Sequence, residues 1–301
     1  HIALPQPGAT EQHWVRHAKW TWYDARNNGF SGRGLAALTT FTNKKFSETP
    51  RGQQMLKDLT YEQAERLHYP KEKFSFLTAE QADQLLKQGQ AVTGTLGRSY
   101  TSAAQGRKGD IEMFLGNLSI DSVRGTAAHE ITHQRWQTVL DQYMTELAQA
   151  DDAGALEADG YSLKEGAQAR YPTVARLNPT YMDNVTTLVA DDGVSPYSRG
   201  FWNDYGKFLN DGGYRHDLYK VYAEDQVRRG KEAAEVVPFD QWKNDYRAKL
   251  LKTAFHETLA EIACAEAEDE TPDASRDWLK FYTTVEGLYE AQRTAPQRRA
   301  A

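Results

Sequence analysis

The sequence AAHEITH at residues 127–133 is the stretch from which the rest of the chain is interpreted. On an α-helix, residues four apart lie one turn apart on the same face, so the imidazoles of His129 and His133 can reach one metal ion. Glu130 between them places a carboxylate near that ion, where it can take a proton from a bound water. The spacing therefore predicts a helix that carries a zinc site.

The flanking residues predict that this helix is long. Asp121 or Ser122 can cap its start, and no proline interrupts the sequence before Tyr143. Apolar residues recur at helical spacing and predict the face that packs on a core. They are Val123, Ala127, Ile131, Val139 and Tyr143.

Composition excludes several classes of protein. A chain of 301 residues with 40% hydrophobic and 26% charged residues has the make-up of a globular protein, in one large domain or two closely packed ones. The net charge of −6 leaves no basic excess to neutralise phosphates, so we expect no nucleic-acid partner. No apolar run approaches the length of a membrane span, and a single cysteine, Cys264, excludes an internal disulfide.

The pattern of elements predicts an α+β fold that is mostly helical, with a small mixed or antiparallel sheet followed by a helical C-terminal half. We expect three regions: an aromatic-rich N-terminal region packed on the catalytic core (1–90), a zinc-binding α/β subdomain (91–175) and a helical subdomain that completes an active-site cleft (176–301). Strands are predicted near 73–77, 93–100 and 111–115, with a glycine-rich turn at 105–109. The strand at 111–115, just before the metal helix, is a candidate edge for holding an extended peptide.

Local signals predict the remaining helices. Thr60 with Gln63 and Thr78 with Gln81 are capping-box patterns, and Ser195-Pro196 is a cap followed by proline at the first helical position. Further helices are predicted at 161–171 (stopped by Pro172), around 185–190, from 196 to 209, at 215–229, at 238–265 and around Trp278.

A catalytic zinc needs a third protein ligand and an open position for water. Glu165 follows His133 by 32 positions, and Gly166 comes directly after it. Glu257 lies in the sequence HETLAE at 256–261, where Glu261, one turn later, can accept a hydrogen bond from a ligating histidine. Spacing alone leaves both glutamates open as the third ligand.

Three pieces between residues 111 and 210 resemble the gluzincin metallopeptidases, which include thermolysin and the aminopeptidase N family. The HEITH sequence is similar to their zinc motif. Leu163-Lys164-Glu165-Gly166 resembles the third-ligand helix of the aminopeptidase-like (minigluzincin) branch. Tyr197-Ser198-Arg199-Gly200 resembles its downstream Tyr-Ser-Lys-Gly stretch, whose tyrosine stabilises the oxyanion.

The resemblance implies a thermolysin-like catalytic domain that hydrolyses peptides or proteins with Zn²⁺ bound by His129, His133 and Glu165. Glu130 is then the general base. Tyr197 is the first choice for the oxyanion donor, before Tyr205 and His216. The strand with which aminopeptidases capture a free amino terminus, Gly-x-Met-Glu-Asn, is absent, so we expect an endopeptidase.

Other functions stay open at this stage. The same residues fit a non-catalytic metal-binding domain, or a degenerate peptidase that binds a protein or peptide partner. They also fit a hydrolase acting on a bond other than a peptide. Because the sequence starts at His1 without methionine, as many secreted relatives do after processing, an extracytoplasmic (secreted or periplasmic) location is expected. The oligomeric state is not indicated by any pattern.

Overall fold

The structure is a computed structural model, and it describes residues 46–90, 92–103, 106–158, 162–181 and 195–295. The predicted packing of the N-terminal aromatic region as far as residue 45 and the predicted helix around 185–190 lie outside these ranges. The described part is mostly helical with one small mixed sheet, in agreement with the predicted α+β class. Its elements are α1 (Pro50–Arg66), β1 (Phe74–Leu77), α2 (Ala79–Lys87), β2 (Gly97–Ser99), β3 (Ile111–Phe114), α3 (Val123–Asp152), α4 (Pro172–Tyr181), α5 (Pro196–Asn210), α6 (Gly212–Arg228), α7 (Phe239–Ala267) and α8 (Arg276–Thr294).

The sheet has the strand order β1-β3-β2, with β1 parallel and β2 antiparallel to β3. All four residues of β3 are buried. Because β3 lies between the two other strands, the prediction that residues 111–115 offer a free sheet edge is wrong. Among the described strands, β1 and β2 are the two edges, and β2 (Gly97–Ser99) precedes the glycine-rich turn that leads to its hairpin partner β3.

Contacts divide the chain into two compact units. The described residues up to Gln134 form the first unit together with Ala263–Glu270. The second unit comprises Arg135–Ile262 and the residues from Thr271 onward. The three regions expected from the sequence (1–90, 91–175 and 176–301) stay a prediction.

The first unit packs α1 and the start of α3 against one face of the sheet. Val123, Ala127 and Ile131 are fully buried in this core, as their spacing predicted. The same core contains residues from α1 and from the sheet, among them Leu56, Ile111 and Met113. The apolar stripe of α3 therefore fixes which side of that helix faces the sheet.

The second unit has an aromatic core. Its side chains are buried and their rings contact one another at centroid distances of 5.3 to 6.1 Å. They come from four helices: Trp136 (α3), Trp202 (α5), Phe255 (α7), and Trp278 and Phe281 (α8). None of the helices in the described ranges has the length and apolar character of a membrane span.

Helix starts follow the predicted caps in part. Thr78 forms a full capping box with Gln81 at the start of α2, and Ser195 caps α5 with Pro196 in its first turn. The cap predicted at Thr60 is wrong: this residue lies inside α1, where its hydroxyl donates to the carbonyl of Leu56. Thr49 with Pro50 is the stronger start signal, and α1 begins there.

The helix predicted over 161–171 is also wrong. Its described residues form turns, and Leu163 makes an isolated bridge with Leu156. Gly166 has a φ of +83°, a left-handed conformation that does not continue an α-helix. Pro172 begins α4 instead of ending a helix, and the buried carboxylate of Glu146 accepts hydrogen bonds from the first-turn amides of that helix.

The β2–β3 hairpin is held by one buried carboxylate. Glu112 on β3 accepts hydrogen bonds from Arg98, Tyr100 and Arg107, at distances between 2.6 and 3.0 Å. Burial alone raises the pKa of the Glu112 carboxyl, but the hydrogen bonds from the two guanidinium groups and the phenol outweigh burial. The pKa of Glu112 therefore lies below its ordinary value.

We expect Glu112→Gln to lower the free energy of unfolding by about 2–4 kcal/mol at pH 7, because two guanidinium groups lose their counter-charge. A group whose pKa is lowered by folding stabilises the protein above its ordinary pKa. The wild-type advantage should therefore be complete near neutral pH and shrink as the pH falls below about 4.5. Urea unfolding of both proteins between pH 3 and 7 measures it. A stability difference that does not change with pH would contradict the assignment.

Candidate metal centre

The two histidines of α3 lie on the side of the helix away from the sheet. His129 and His133 are each two positions from a residue of the buried stripe, which is about 200° around an α-helix. Their rings are 4.9 Å apart between centroids, with planes at 81°. His133 is buried and His129 partly buried. Packing of the stripe on the sheet thus turns both imidazoles to one common face.

The structure brings Glu257 of α7 to this pair. One ligand atom from each of His129, His133 and Glu257 lies within 4.8 Å of the others, and Glu257 is partly buried. Two imidazoles and one carboxylate are a donor set that suits a catalytic zinc with one open position. This group can hold a metal ion. Among the described residues, it is the one cluster of three His, Cys, Asp or Glu side chains that is close enough together to do so.

Neighbouring contacts within the second unit hold α3 and α7 side by side near these ligands. Trp136, three residues after His133, stacks on Phe255, two residues before Glu257, at 6.1 Å with planes at 12°. Both rings are fully buried. Beside them Lys252 Nζ donates to Gln137 Oε1 at 2.7 Å. The rotational setting of both helices is therefore fixed within one turn of the ligands.

His256 precedes Glu257 but is not part of the group. It is buried and meets the Trp136 ring edge-on at 5.5 Å. Burial, aided by the charge of Lys252, lowers the pKa of its imidazole to about 3. His256 is therefore neutral at physiological pH and serves as an aromatic packing residue.

Glu130 lies beside the edge strand. It is buried, and a Cβ added at Gly97 of β2 would come within 2.7 Å of its Cγ and 2.8 Å of its Oε1. A glycine at position 97 lets the strand approach this carboxylate. Sequence reasoning did not find Gly97, because nothing along the chain links it to a helix that begins 26 positions later.

Glu165, the first choice for the third ligand, is exposed on the turn before Gly166 and is not among the residues brought together. The runner-up, Glu257, is. Glu261, one turn later, accepts a hydrogen bond from Ser195 Oγ at 3.4 Å.

The candidates for the oxyanion donor have other contacts. Tyr197 is 53% exposed in the first turn of α5, with its ring against Phe201. Tyr205 is buried against Trp202. His216 stacks on Phe239 at 4.3 Å. The role of Tyr197 in catalysis stays a prediction.

Comparisons with protein-family models, with curated proteins and with solved structures find no match. The chemistry of the site therefore rests on its donor set and on the residues that surround it.

Proposed function

We propose that this chain is a zinc-dependent peptidase, most simply an endopeptidase, in which His129, His133 and Glu257 bind the zinc ion. The observation that carries the proposal is the convergence of ligand atoms from these three side chains within 4.8 Å. The motif glutamate Glu130 lies on α3, in the same helical turn as the two histidines. A zinc motif on one helix and a glutamate from a later helix is an arrangement similar to that of the gluzincins. The proposal therefore keeps a thermolysin-like catalytic site and replaces Glu165 by Glu257 as its third ligand.

Glu130 is proposed as the general base. When bound, a zinc ion supplies a Lewis acid that polarises the scissile carbonyl and makes a coordinated water more acidic. Glu130 accepts the proton of the attacking water and passes it to the leaving amine. Its carboxylate is buried against Gly97, so its position is restricted before substrate binds.

The β2 strand is proposed as the substrate edge. In the sheet of the described strands, β2 lies at the edge, and its first residue is the glycine that approaches Glu130. An extended peptide can add to such an edge by backbone hydrogen bonds. A peptide bound in this way would pass close to Glu130, which favours a peptide over other hydrolysable substrates.

The test combines metal analysis with an assay on peptides. The protein is purified without added metal, its metal content is measured by mass spectrometry, and hydrolysis of quenched fluorescent peptide libraries and unfolded proteins is followed. We expect about one zinc per chain, with hydrolysis that is lost on treatment with a zinc chelator and restored by zinc. Bound zinc without hydrolysis would reject the peptidase proposal in favour of a non-catalytic metal-binding domain. Absence of any bound divalent ion would reject both interpretations.

Gly97→Ala provides a test of the approach of β2 to Glu130. The new methyl group has to displace the buried Glu130 side chain and also meets Thr126 Cγ2 at 3.0 Å, so zinc content and thermal unfolding are measured alongside activity. Turnover should fall by about 10- to 100-fold, since a displacement near 1 Å of a catalytic group has effects of that order. The measurement is kcat on a cleaved peptide.

Gly287→Ala is the matched control, because a Cβ at this exposed helical glycine meets nothing within 4 Å. Its kcat should equal that of the wild type. Equal kcat values for both variants would show that Gly97 has no part in placing Glu130.

A further inference from the structure

Helix α5 and its N-cap residue contact α7 at two points near Glu257. Trp202 Nε1 donates a hydrogen bond to Thr258 Oγ1 at 3.0 Å, directly beside Glu257. At the start of α5, Ser195 Oγ makes the longer contact of 3.4 Å with Glu261, one turn further along α7. Both contacts lie within the second unit and involve none of the three proposed metal ligands.

The first of these contacts is buried and directional. Trp202 is 4% and Thr258 1% exposed. The Thr258 hydroxyl also donates to the carbonyl of Ala254 at 2.8 Å, so its lone pairs remain to accept the indole N–H. The Trp202 ring is fixed in turn by Phe255 and Trp278, at 5.3 and 5.6 Å. The Trp202–Thr258 bond therefore adds a restraint on the rotation of α7 about its own axis, next to Glu257.

Small rotations matter at a metal site. A side-chain tip lies roughly 6 Å from the axis of an α-helix, so a rotation of about 10° moves it by about 1 Å. Metal–ligand distances tolerate only about ±0.2 Å. A contact that prevents such a rotation acts on metal affinity far more than on the packing of the core.

We propose that Trp202 and Thr258 are positioning residues that hold the carboxylate of Glu257 toward His129 and His133. The proposal rests on the proposed metal-binding function and deepens it. It assigns to α5 a role in building the metal centre through α7, separate from any role of Tyr197 in catalysis.

The experiment compares Trp202→Phe with Trp278→Phe. Both tryptophans are buried against Phe255, at the same 5.3 Å, but among the described residues the indole N–H of Trp278 has no hydrogen-bond acceptor. Each variant loses one indole ring, and only Trp202→Phe loses the bond to Thr258. The zinc dissociation constant is measured by competition with a chromogenic chelator, with circular dichroism and thermal unfolding as controls for folding.

We expect Trp202→Phe to weaken zinc binding by about 10- to 100-fold, the effect typical of residues that orient metal ligands, and Trp278→Phe to stay within about threefold of wild type. Equal affinities for the two variants would overturn the proposal. Thr258 gives a second test if Trp202→Phe fails to fold: Thr258→Val, which keeps the shape, should weaken zinc binding, and Thr258→Ser, which keeps the hydroxyl, should restore it.

The two proposals fail in different ways. If the wild type binds no zinc in the same competition assay, the metal-binding function falls and the positioning role falls with it. If the wild type binds zinc and Thr258→Val binds it as tightly as Thr258→Ser, only the positioning role is rejected.

Discussion

Glu257→Ala is expected to abolish zinc retention in protein purified without added metal, whereas Glu165→Ala is expected to retain zinc as the wild type does. The group that can hold a metal ion contains Glu257, and Glu165 is exposed on a turn outside it. Protein zinc sites of four ligands bind with about 10–16 kcal/mol, so one ligand contributes roughly 3–4 kcal/mol. The loss should weaken binding by about 10²–10³-fold.

The measurement is metal content by mass spectrometry together with a zinc dissociation constant for each variant. Glu257→Gln accompanies Glu257→Ala, because it preserves the size of the partly buried side chain while removing its charge. Both should lose zinc and remain folded by circular dichroism. If Glu165→Ala alone loses the metal, the ligand set implied by the aminopeptidase-like resemblance is the correct one and the geometry described here is not that of the bound state.

The choice between Glu165 and Glu257 shows which parts of the metal site local sequence patterns can predict and which they cannot. The HEITH helix was predictable because its ligands, its buried stripe and its helical spacing all lie within one element. Val123, Ala127 and Ile131 alone determine that His129 and His133 face away from the sheet. Glu257, the proposed third ligand, lies 124 positions after His133 in α7, and no local pattern predicts which face of α7 meets α3.

The helix predicted around Glu165 is wrong for a specific reason. Its surroundings, Leu163 to Tyr171, have the composition of a short helix, and a resemblance of four residues, Leu163 to Gly166, supported that interpretation. The structure places Gly166 at positive φ and begins the next helix at Pro172, so the segment is a connection. The sequence around Glu257 contained a usable signal, the HETLAE stretch, but the apolar stripe of the same helix, Phe239, Trp242, Tyr246 and Leu250, favoured a packing role for that helix.

Contacts between residues far apart in the sequence are the second feature that local patterns could not predict. The strands at 74–77, 97–99 and 111–114 were all predictable as strands, yet their order β1-β3-β2 was not. That order decides that β2, and not β3, is the edge strand that approaches Glu130. The same is true of the Trp202–Thr258 hydrogen bond, which joins residues 56 positions apart whose local sequences predict only two amphipathic helices.

Glu130→Gln is expected to keep zinc and lose turnover. The substitution retains the size of the side chain and its place against Gly97, and Glu130 is not among the three residues that converge as metal ligands. An amide cannot accept the proton of the attacking water. We therefore expect kcat to fall by about 10²–10⁴-fold, the range typical of a lost general base. The measurement is kcat on a cleaved peptide, with zinc content determined on the same preparation.

Glu165→Gln is the matched control, since it makes the same chemical change at an exposed glutamate and should leave kcat and zinc content unchanged. Glu130→Asp adds a second constraint. It keeps a carboxylate but withdraws it by about one methylene length, so its kcat should lie between those of the wild type and Glu130→Gln. Full activity in Glu130→Gln would reject the general-base role. Loss of zinc from the same variant would instead make Glu130 a metal ligand. The proposed roles of Glu130 as general base and Glu257 as ligand would then have to be exchanged.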